Sequence, residues 1–318
     1  MANDLMFEKP LVELQKKIEE LRSFSEQSGL DFSEEIRKLE EKADSLASHL
    51  YDDLSPWQRT QMARHSERPT TLDYIKGMCT DFLELHGDRA FGDDQAIVAG
   101  IAKLDGIPVT IMGHQKGRDT KENIARRWGM AQPEGYRKTL RLMKQAEKFR
   151  RPVICFIDTS GAYPGIASEE RGIGEAIARN LLEMAALKTP IICVVTGEGG
   201  SGGALALGIG DRVYMLENSI YGVISPEGAA ALLWKDSGQA QRAADTMKIS
   251  ADHIHSFGVV DGVIKEPEGG AHKDNEATIA NVRETIVTAL RELLEIPTDV
   301  LVEQRYQKFK NMGHYANG

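Results

Sequence analysis

A run of glycines directly after an apolar segment is the feature that most constrains the fold of this 318-residue chain. Residues 191–195 (IICVV) predict a buried strand, and residues 196–204 (TGEGGSGGA) lead from it into an apolar helix that we expect to begin at Ala204. Five glycines stand within eight of these residues, so the start of that helix lacks side chains. Its unpaired N–H groups would face a ligand, and such groups attract negative charge.

A second glycine turn, residues 158–165 (DTSGAYPG), follows another predicted buried strand at residues 153–157. Ligands of α/β sheets gather at the carboxyl ends of the strands, so both turns are candidates for one binding site. The backbone N–H groups expected to take part are those of Gly161, Ala162, Gly203 and Ala204.

Apolar runs of strand length alternate with helical patterns through most of the chain. Strands are predicted at residues 96–104, 107–113, 153–157, 191–195, 213–216, 220–224 and 258–264. Helices are predicted at residues 72–85, 133–150, 169–187, 226–234, 240–247 and 277–294. Asp105-Gly106, between the first two strands, is a strong signal for an antiparallel hairpin. The alternation predicts an α/β domain with buried strands, which we place at residues 85–295.

The N-terminal segment, residues 1–84, has a different pattern. Leucine and isoleucine recur at helical spacing in residues 10–22 and again in residues 34–50, with Gly29 between them. Asp31 and Glu34 resemble a capping box for the second helix. We expect a helical hairpin that serves assembly rather than chemistry, and a short C-terminal tail at residues 296–318.

Charge argues against one class of partner. The formal net charge of −9 would repel the phosphates of nucleic acid. Residues 114–151 are locally basic, and about half of these charges are expected to lie on solvated helix faces while the rest bind an anionic ligand or a protein partner. The basic residues of this stretch are Lys116, Arg118, Lys121, Arg126, Arg127, Arg137, Lys138, Arg141, Lys144, Lys148, Arg150 and Arg151.

Composition indicates a globular cytoplasmic protein. Hydrophobic residues make up 41% of the chain, but none of its apolar runs reaches the ~18 residues that a membrane span needs. The N-terminus, Met1 to Asp4, lacks the pattern of a signal peptide. Cys79, Cys155 and Cys193 are far apart, and the latter two lie in apolar runs where a thiol behaves as a small hydrophobe. We therefore expect structural thiols.

Three functional interpretations of the first glycine turn stay open, beside a purely structural role in tight packing. Gly197, Gly199 and Gly202 match a dinucleotide fingerprint, but residues 203–209 leave room for only about two helical turns, which is short for a nucleotide-binding crossover. Residues 199–203 (GGSGG) also match a nucleophile elbow around Ser201. The third interpretation is an oxyanion hole made of backbone N–H groups, which is an arrangement able to carry a reaction.

Several long motifs, in order and almost from end to end, make the chain resemble one known family. They are residues 85–93 (LHGDRAFGD), 113–118 (GHQKGR), 133–142 (PEGYRKTLRL), 156–165, 197–207, 225–228 (SPEG) and 267–272 (PEGGAH). The family is that of the alpha subunits of bacterial acetyl-CoA carboxylase carboxyltransferases, within the crotonase-like superfamily. One departure is Ser160, where members of the family often have proline.

The resemblance implies an α/β fold of the crotonase-like (ClpP/crotonase) type, a spiral of ββα units, here preceded by the helical hairpin. It implies transfer of a carboxyl group from carboxybiotin on a biotin carboxyl carrier protein to acetyl-CoA, giving malonyl-CoA for fatty acid synthesis in an ATP-dependent complex. A zinc-bearing beta subunit would hold acetyl-CoA in an α2β2 heterotetramer, and this chain would hold carboxybiotin. Three scattered cysteines cannot form a four-thiolate zinc site, so no metal is expected here.

In the family mechanism two negative oxygens need stabilising, one in an oxyanion hole of each subunit. The matching catalytic positions are Gly202, Gly203 and Ala204. The positions expected to bind the cofactor are Gly161, Ala162, Tyr163, Gly200, Ser201, His114 and Arg118. Two rival functions are a hydratase or hydrolase acting on acyl-CoA alone and a non-catalytic scaffold subunit.

Overall fold

A computed structural model of the chain describes residues 5–313. The prediction about a signal peptide concerns Met1 to Asp4 and lies outside the described residues. No helix within the described range is long and apolar enough to cross a membrane.

The structure is a mixed α/β fold built on one sheet. Its strands are β1 Cys79–Glu84, β2 Ile97–Leu104, β3 Ile107–His114, β4 Val153–Thr159, β5 Ile191–Gly200, β6 Arg212–Leu216, β7 Ile220–Gly222 and β8 Gly262–Ile264. Its α-helices are α1 Lys9–Ser28, α2 Ser33–Asp52, α3 Pro56–Ala63, α4 Thr71–Met78, α5 Thr120–Arg126, α6 Pro133–Lys148, α7 Ile166–Glu170, α8 Ile173–Ala186, α9 Ser201–Leu205, α10 Pro226–Trp234, α11 Ala240–Met247, α12 Ala251–Ser256, α13 Asn275–Leu294 and α14 Thr298–Lys310.

The sheet has the order β1-β2-β3-β4-β5-β6-β8, and β7 pairs with the far end of β5. The first three strands are antiparallel, and the strands from β3 to β8 pair in parallel. The Asp105-Gly106 hairpin is confirmed, because Leu104 faces Ile107 and both turn residues have positive φ (50° and 79°), as a type I′ turn requires. The carboxyl ends of β3, β4 and β5 therefore lie along one edge.

Alternate residues of the central strands pack into two separate cores. Val153, Cys155 and Ile157 of β4 point into a core with α6 and α8, whereas Ile154 and Phe156 point into a core with α4 and α13. A strand alternates its side chains between the two faces, so an unbroken apolar strand requires cover on both. The sheet is thus the middle of three layers, and its carboxyl edge is left open to ligands.

Several helices differ from those predicted from the sequence. The helix predicted at residues 72–85 ends at Met78, and β1 follows it because Cys79 to Glu84 pair with β2. The predicted helix at 169–187 is two helices, since Gly172 adopts a left-handed φ of 78° between them. The sequence reading also missed α3, α5 and α12, none longer than eight residues.

The N-terminal hairpin of α1 and α2 is confirmed, and its helices meet through a small apolar cluster around Leu11, Ile18 and Ala43. The expected capping box is wrong. Asp31 accepts the backbone N–H of Ser33 at 3.0 Å in a local turn, and the residue at the N-cap of α2 is Phe32, which has no capping side chain.

Most of the segment expected to be a short tail forms α14, which a buried arginine fastens to the sheet. Arg305 is 1% exposed, and its guanidinium donates to both carboxylate oxygens of Asp211 at 2.9 and 2.8 Å. Its other N–H groups donate to the carbonyls of Met184, Leu187 and Thr189. Asp211 also accepts the N–H of Ile191, so one ion pair joins α14 to the start of β5.

Replacing Arg305 by methionine should lower the free energy of unfolding by about 3–5 kcal/mol, because Asp211 is left as a buried charge without its partner. Denaturant titration of the chain measures this change. Arg179→Met on α8, where the arginine is 57% exposed and paired with Glu175, is the control and should cost under about 1 kcal/mol. Equal effects of the two substitutions would contradict the assignment.

Candidate active site at the two glycine turns

The two glycine turns predicted from the sequence lie in direct backbone contact. A Cβ atom on Gly203 would lie 2.6 Å from the nitrogen of Ala162 and the carbonyl carbon of Gly161. A Cβ atom on Gly200 would overlap the backbone of Ser160. Only glycine permits backbones to approach this closely, which explains the residue type at both positions.

The segment read as a turn at residues 196–200 is in fact the second half of β5. The first half of β5 pairs with β6 through residues 192–195, and the last residues of β5, Glu198 to Gly200, pair with β7. Between them the register against β4 shifts, because Ile157 faces Val195 while Thr159 faces Gly199. Residues 196–198 therefore form a bulge, and bulges re-aim a strand next to functional sites. We refer to residues 196–198 as the β5 bulge.

A buried ion pair holds one side of the β5 bulge. Arg68, 3% exposed, donates two hydrogen bonds to the carbonyl of Thr196 at 3.1 and 2.8 Å and two to Glu266 at 3.0 and 2.7 Å. Burial disfavours the charged form of Glu266, but Arg68 outweighs it and keeps the pKa of this carboxyl below its ordinary value. Glu266 also accepts the N–H groups of Asn218 and Ala271.

A chain of charged side chains holds the other side. Asp158, at the end of β4, accepts the Nζ of Lys116 at 2.6 Å and the N–H of Glu198 at 2.9 Å. Glu198 in turn accepts the Nε of Arg64 at 2.7 Å, and Arg64 reaches on to Glu227. Burial would lower the pKa of Lys116, yet the carboxylates of Asp158 and Glu198 outweigh that effect and raise it. Lys116 is therefore a fixed cation.

Helix α9 begins at Ser201, three residues earlier than predicted. Ser201 follows β5 directly and has a φ of 52°, a left-handed conformation that is uncommon outside glycine. The helix is five residues long, so the N–H groups of Gly202, Gly203 and Ala204 belong to its first turn and have no partner within it. These groups are oriented donors at the carboxyl edge of the sheet.

Two cavities flank the point where β5 ends at Gly200 and α9 begins at Ser201, which we call the glycine junction. The polar cavity, of about 530 Å³, is lined by Arg64, His65, Ser66, Arg68, Thr70, Lys116, Gly117, Asn123, Trp128, Met130, Asp158, Ser160 and Glu198. The apolar pocket, of about 420 Å³, is lined by Ser201, Leu205, Tyr221, Gly222, Val223, Met247, Lys248, Ile249, Ile254, Phe257 and Val259. A smaller pocket lies between them and shares Ser160 and Glu198 with the first and Gly222 and Ile249 with the second. The glycine junction thus separates a charged compartment from an apolar one.

The other predicted site residues divide into two groups. Tyr163 stays with the turns, where its N–H donates to Ala131 and the Arg127 guanidinium lies 5.8 Å from its ring centroid. His114 is 1% exposed, and burial, followed by the charge of Lys116, lowers its pKa to about 3. His114 is therefore neutral at pH 7 and is buried at the end of β3, where backbone groups of Phe156 and Gly203 lie beside it.

Arg118 does not line either cavity. Its guanidinium donates to the carbonyls of Ser66 and Arg68 at 3.2 and 3.0 Å and pairs with Asp73. The side chain thus supports the wall of the polar cavity from behind. Five residues that shape the junction were not among the predicted site residues, namely Arg64, Arg68, Lys116, Asp158 and Glu198.

The two alternative interpretations of the glycine run meet structural difficulties. The five-residue α9 is too short for a dinucleotide crossover. A dinucleotide fingerprint also expects an acidic ribose ligand about twenty residues on, and Glu217, which stands there, binds Lys265 and the N–H of Glu266 instead. The positive φ of Ser201 suits a nucleophile elbow, but His253, one of the histidines that follow Ser201 in the chain and could serve it as a base, is hydrogen-bonded to Ser250 at 2.7 Å. Among residues 5–313, no group of three or more histidine, cysteine or acidic side chains is arranged to hold a metal ion.

Comparison with solved structures identifies the fold. The transcarboxylase 12S structure superposes with a TM-score of 0.59 at 21% identity, over 74% of this chain and 44% of that one. A Pseudomonas malonate decarboxylase hetero-tetramer in complex with coenzyme A gives a TM-score of 0.59 at 19% identity, over 74% of this chain and 91% of that one. The chain shares its fold with these two proteins, which confirms the predicted fold class.

Sequence comparison is more specific. Residues 4–313 match the model of the acetyl co-enzyme A carboxylase carboxyltransferase-like family. The alpha subunit of the acetyl-coenzyme A carboxylase carboxyl transferase of Halalkalibacterium halodurans is 61% identical over 317 residues, covering 100% of this chain and 98% of the relative. That of Bacillus subtilis is 59% identical over 313 residues, covering 98% and 96%. The chain belongs to the family of acetyl-coenzyme A carboxylase carboxyltransferase alpha subunits, as its motifs predicted.

A matched pair of substitutions tests the geometry of the junction. Gly200→Ala should disrupt it, because the new methyl group would overlap the backbone of Ser160, and we expect a loss of about 2 kcal/mol or more of folding stability. Gly202→Ala should stay within about 1 kcal/mol of the unsubstituted chain, because its methyl group would lie 3.5 Å from the side chain of Ile177 in ordinary contact. Thermal unfolding of both variants measures the difference, and the reverse order would refute this packing.

Proposed function

We propose that the N–H groups of Gly203 and Ala204, with Gly202 beside them, form the oxyanion hole of a carboxyltransferase half-site. The observation that carries the proposal is the position of Gly203, whose backbone is wedged against Gly161 and Ala162 at the start of a helix. Donors fixed in this way need no reorganisation when negative charge develops in front of them. The helix start adds a partial positive charge at the same place.

The residues around the junction fit carboxybiotin, which when bound supplies the carboxyl group that is transferred. Biotin has a largely apolar body and side chain, and the apolar pocket opens at Ser201 beside the donors. The polar cavity on the other side is lined by Lys116 together with the two carboxylates that it pairs with, Asp158 and Glu198. Gly161, Ala162, Tyr163 and Gly200 shape the junction. His114 is buried beneath the junction, and Arg118 supports the wall of the polar cavity from behind.

This half-site requires partners. We propose that a zinc-bearing beta subunit completes the site and holds acetyl-CoA, in an α2β2 assembly in the cytoplasm. The biotin would arrive on a carrier protein, and the product would be malonyl-CoA for fatty acid synthesis. The names of the relatives support a beta-subunit partner, since each of them is an alpha subunit. The transcarboxylase neighbour supports the reaction class through its shared fold.

Two substitutions separate backbone catalysis from a serine nucleophile. Ser201→Ala should keep most of the carboxyltransferase activity, because the donors at Gly203 and Ala204 remain. Gly203→Val should lower kcat at least ~100-fold, because its side chain would press on Gly161 and Ala162 and shift the donors. Gly202→Ala is the control with ordinary contacts. A folded but inactive Ser201→Ala enzyme would instead support a hydrolase.

The assay for both variants is the reverse reaction. The chain is mixed with a candidate beta subunit, and decarboxylation of malonyl-CoA with transfer to biotin is followed, with each subunit alone as a control. Activity only in the mixture supports the proposal. Activity of the single chain on acyl-CoA would favour the hydratase or hydrolase. Unchanged activity of an assembled Gly203→Val complex would favour a scaffold role.

A further inference from the structure

The loop at residues 85–93, between β1 and β2, is more rigidly built than an exposed connection requires. Asp88 accepts the N–H groups of Ala90, Phe91 and Gly92 through one carboxylate oxygen and the Nε of Arg137 through the other. These bonds outweigh burial and lower the pKa of Asp88 to about 2.

Asp93 closes the same loop from its other end. Its carboxylate accepts the N–H of Gly87 at 2.8 Å and the Nζ of Lys138 at 2.6 Å. Two buried or half-buried carboxylates thus organise a loop that contributes little to the core, and such order in a surface loop indicates a binding role.

The loop brings two guanidinium groups together. Arg89 has a strained left-handed φ of 65°, and its Nη1 donates to the carbonyl of His86 at 2.8 Å. Arg141, on α6, donates to the same carbonyl at 3.2 Å and to that of Gly87 at 3.0 Å. Both side chains are therefore oriented by backbone acceptors, and each keeps further N–H groups for another partner.

The two guanidinium groups lack the compensation that their neighbours have. Arg137 pairs with Asp88 and Lys138 with Asp93, whereas within residues 5–313 neither Arg89 nor Arg141 has a carboxylate within 4 Å. Desolvation and then the charge of Arg89 lower the pKa of Arg141, and the more weakly acting charges of Asp88 and Asp93 offset this only in part. In a chain of net charge −9, two adjacent arginines without a directly paired carboxylate are a site for an anion with several oxygens.

Position and surroundings narrow the class of ligand. Ile97 of β2 pairs with His114 of β3, so the loop before β2 lies at the carboxyl edge of the sheet, as the glycine junction does. Phe91 in the same loop is 67% exposed, with the Arg171 guanidinium 4.5 Å from its ring centroid. An exposed aromatic ring in the same loop as Arg89 fits a phosphorylated nucleotide.

We propose that Arg89 and Arg141 bind a phosphate group of the coenzyme A thioester, so that this chain contributes to the binding of a substrate that the beta subunit is expected to hold. The assignment rests on the proposed function. It gives a role to one part of the basic stretch at residues 114–151, in which six residues (Lys116, Arg118, Arg127, Arg137, Lys138 and Lys144) are already paired with carboxylates.

The test uses the complex with the beta subunit and the double variant Arg89→Gln/Arg141→Gln. Glutamine retains an N–H donor for the carbonyls of His86 and Gly87 but removes both charges. The KM for malonyl-CoA should rise about tenfold or more while kcat stays within about twofold, because binding is lost equally in the ground and transition states. Lys121→Gln/Lys148→Gln, which removes two unpaired charges of the same stretch, should leave KM within about twofold.

Substrate analogues identify the phosphate. If the site binds the 3′-phosphate, the unsubstituted complex should have a higher KM for 3′-dephospho-malonyl-CoA than for malonyl-CoA. The double variant should have the same KM for both substrates. If the double substitution instead raises the KM for both substrates equally, the site binds the pyrophosphate, which also supports the proposal. Inorganic phosphate should compete with malonyl-CoA in the unsubstituted complex and not in the variant.

Two results would overturn the assignment. One is an unchanged KM in the Arg89→Gln/Arg141→Gln complex. The other is a folded double variant that no longer joins the beta subunit, since the arginines would then be a subunit contact. Calorimetric titration of the complex with coenzyme A gives a readout independent of turnover. If the unsubstituted complex binds coenzyme A more tightly than the double variant does but transfers no carboxyl group, the proposed function fails while the binding site stands.

Discussion

The β5 bulge, held between two charged networks, is the constraint on which the active edge depends. At Thr196 to Glu198 the strand leaves β6 and joins β7, and Arg68 and Asp158 bind the backbone at that point. Without this change of partner, β5 would run on beside β6, and Gly200 would not meet Ser160. The position of the first N–H groups of α9 follows directly, since the helix begins at the residue after the strand.

The chemistry proposed for this site relies on backbone donors and needs no catalytic side chain at the junction itself. The polar groups instead act one layer away, where Lys116 and Arg64 neutralise Asp158 and Glu198. Such buried charges add little net stability, but removing one partner is costly, so they specify a geometry more than they strengthen it. The same fold is found in solved structures near 20% identity.

Charge in this chain is arranged by location. Although the net charge is −9, the carboxyl edge of the sheet is rich in cations. Most of these cations form ion pairs that stabilise loops and strand ends. Arg89 and Arg141 differ because their acceptors are carbonyls, which orient a guanidinium without neutralising it. The composition of the basic stretch does not distinguish cations that are paired with carboxylates of this chain from cations that can still bind a ligand.

The sequence by itself determined the class of fold, the hairpin at Asp105-Gly106, the glycine turn after β4 and the family, because each depends on local periodicity, turn chemistry or motif order. It took residues 196–200 for a turn, whereas pairing with β7 makes them part of β5. It misplaced the start of α9 and missed β1, since Cys79 to Glu84 become a strand only by pairing with β2. Tertiary structure alone decided the β5 bulge, the pairing of Arg68 with Glu266 and that of Arg305 with Asp211. Those partners are 198 and 94 residues apart, and no local pattern encodes a contact that the folded sheet creates.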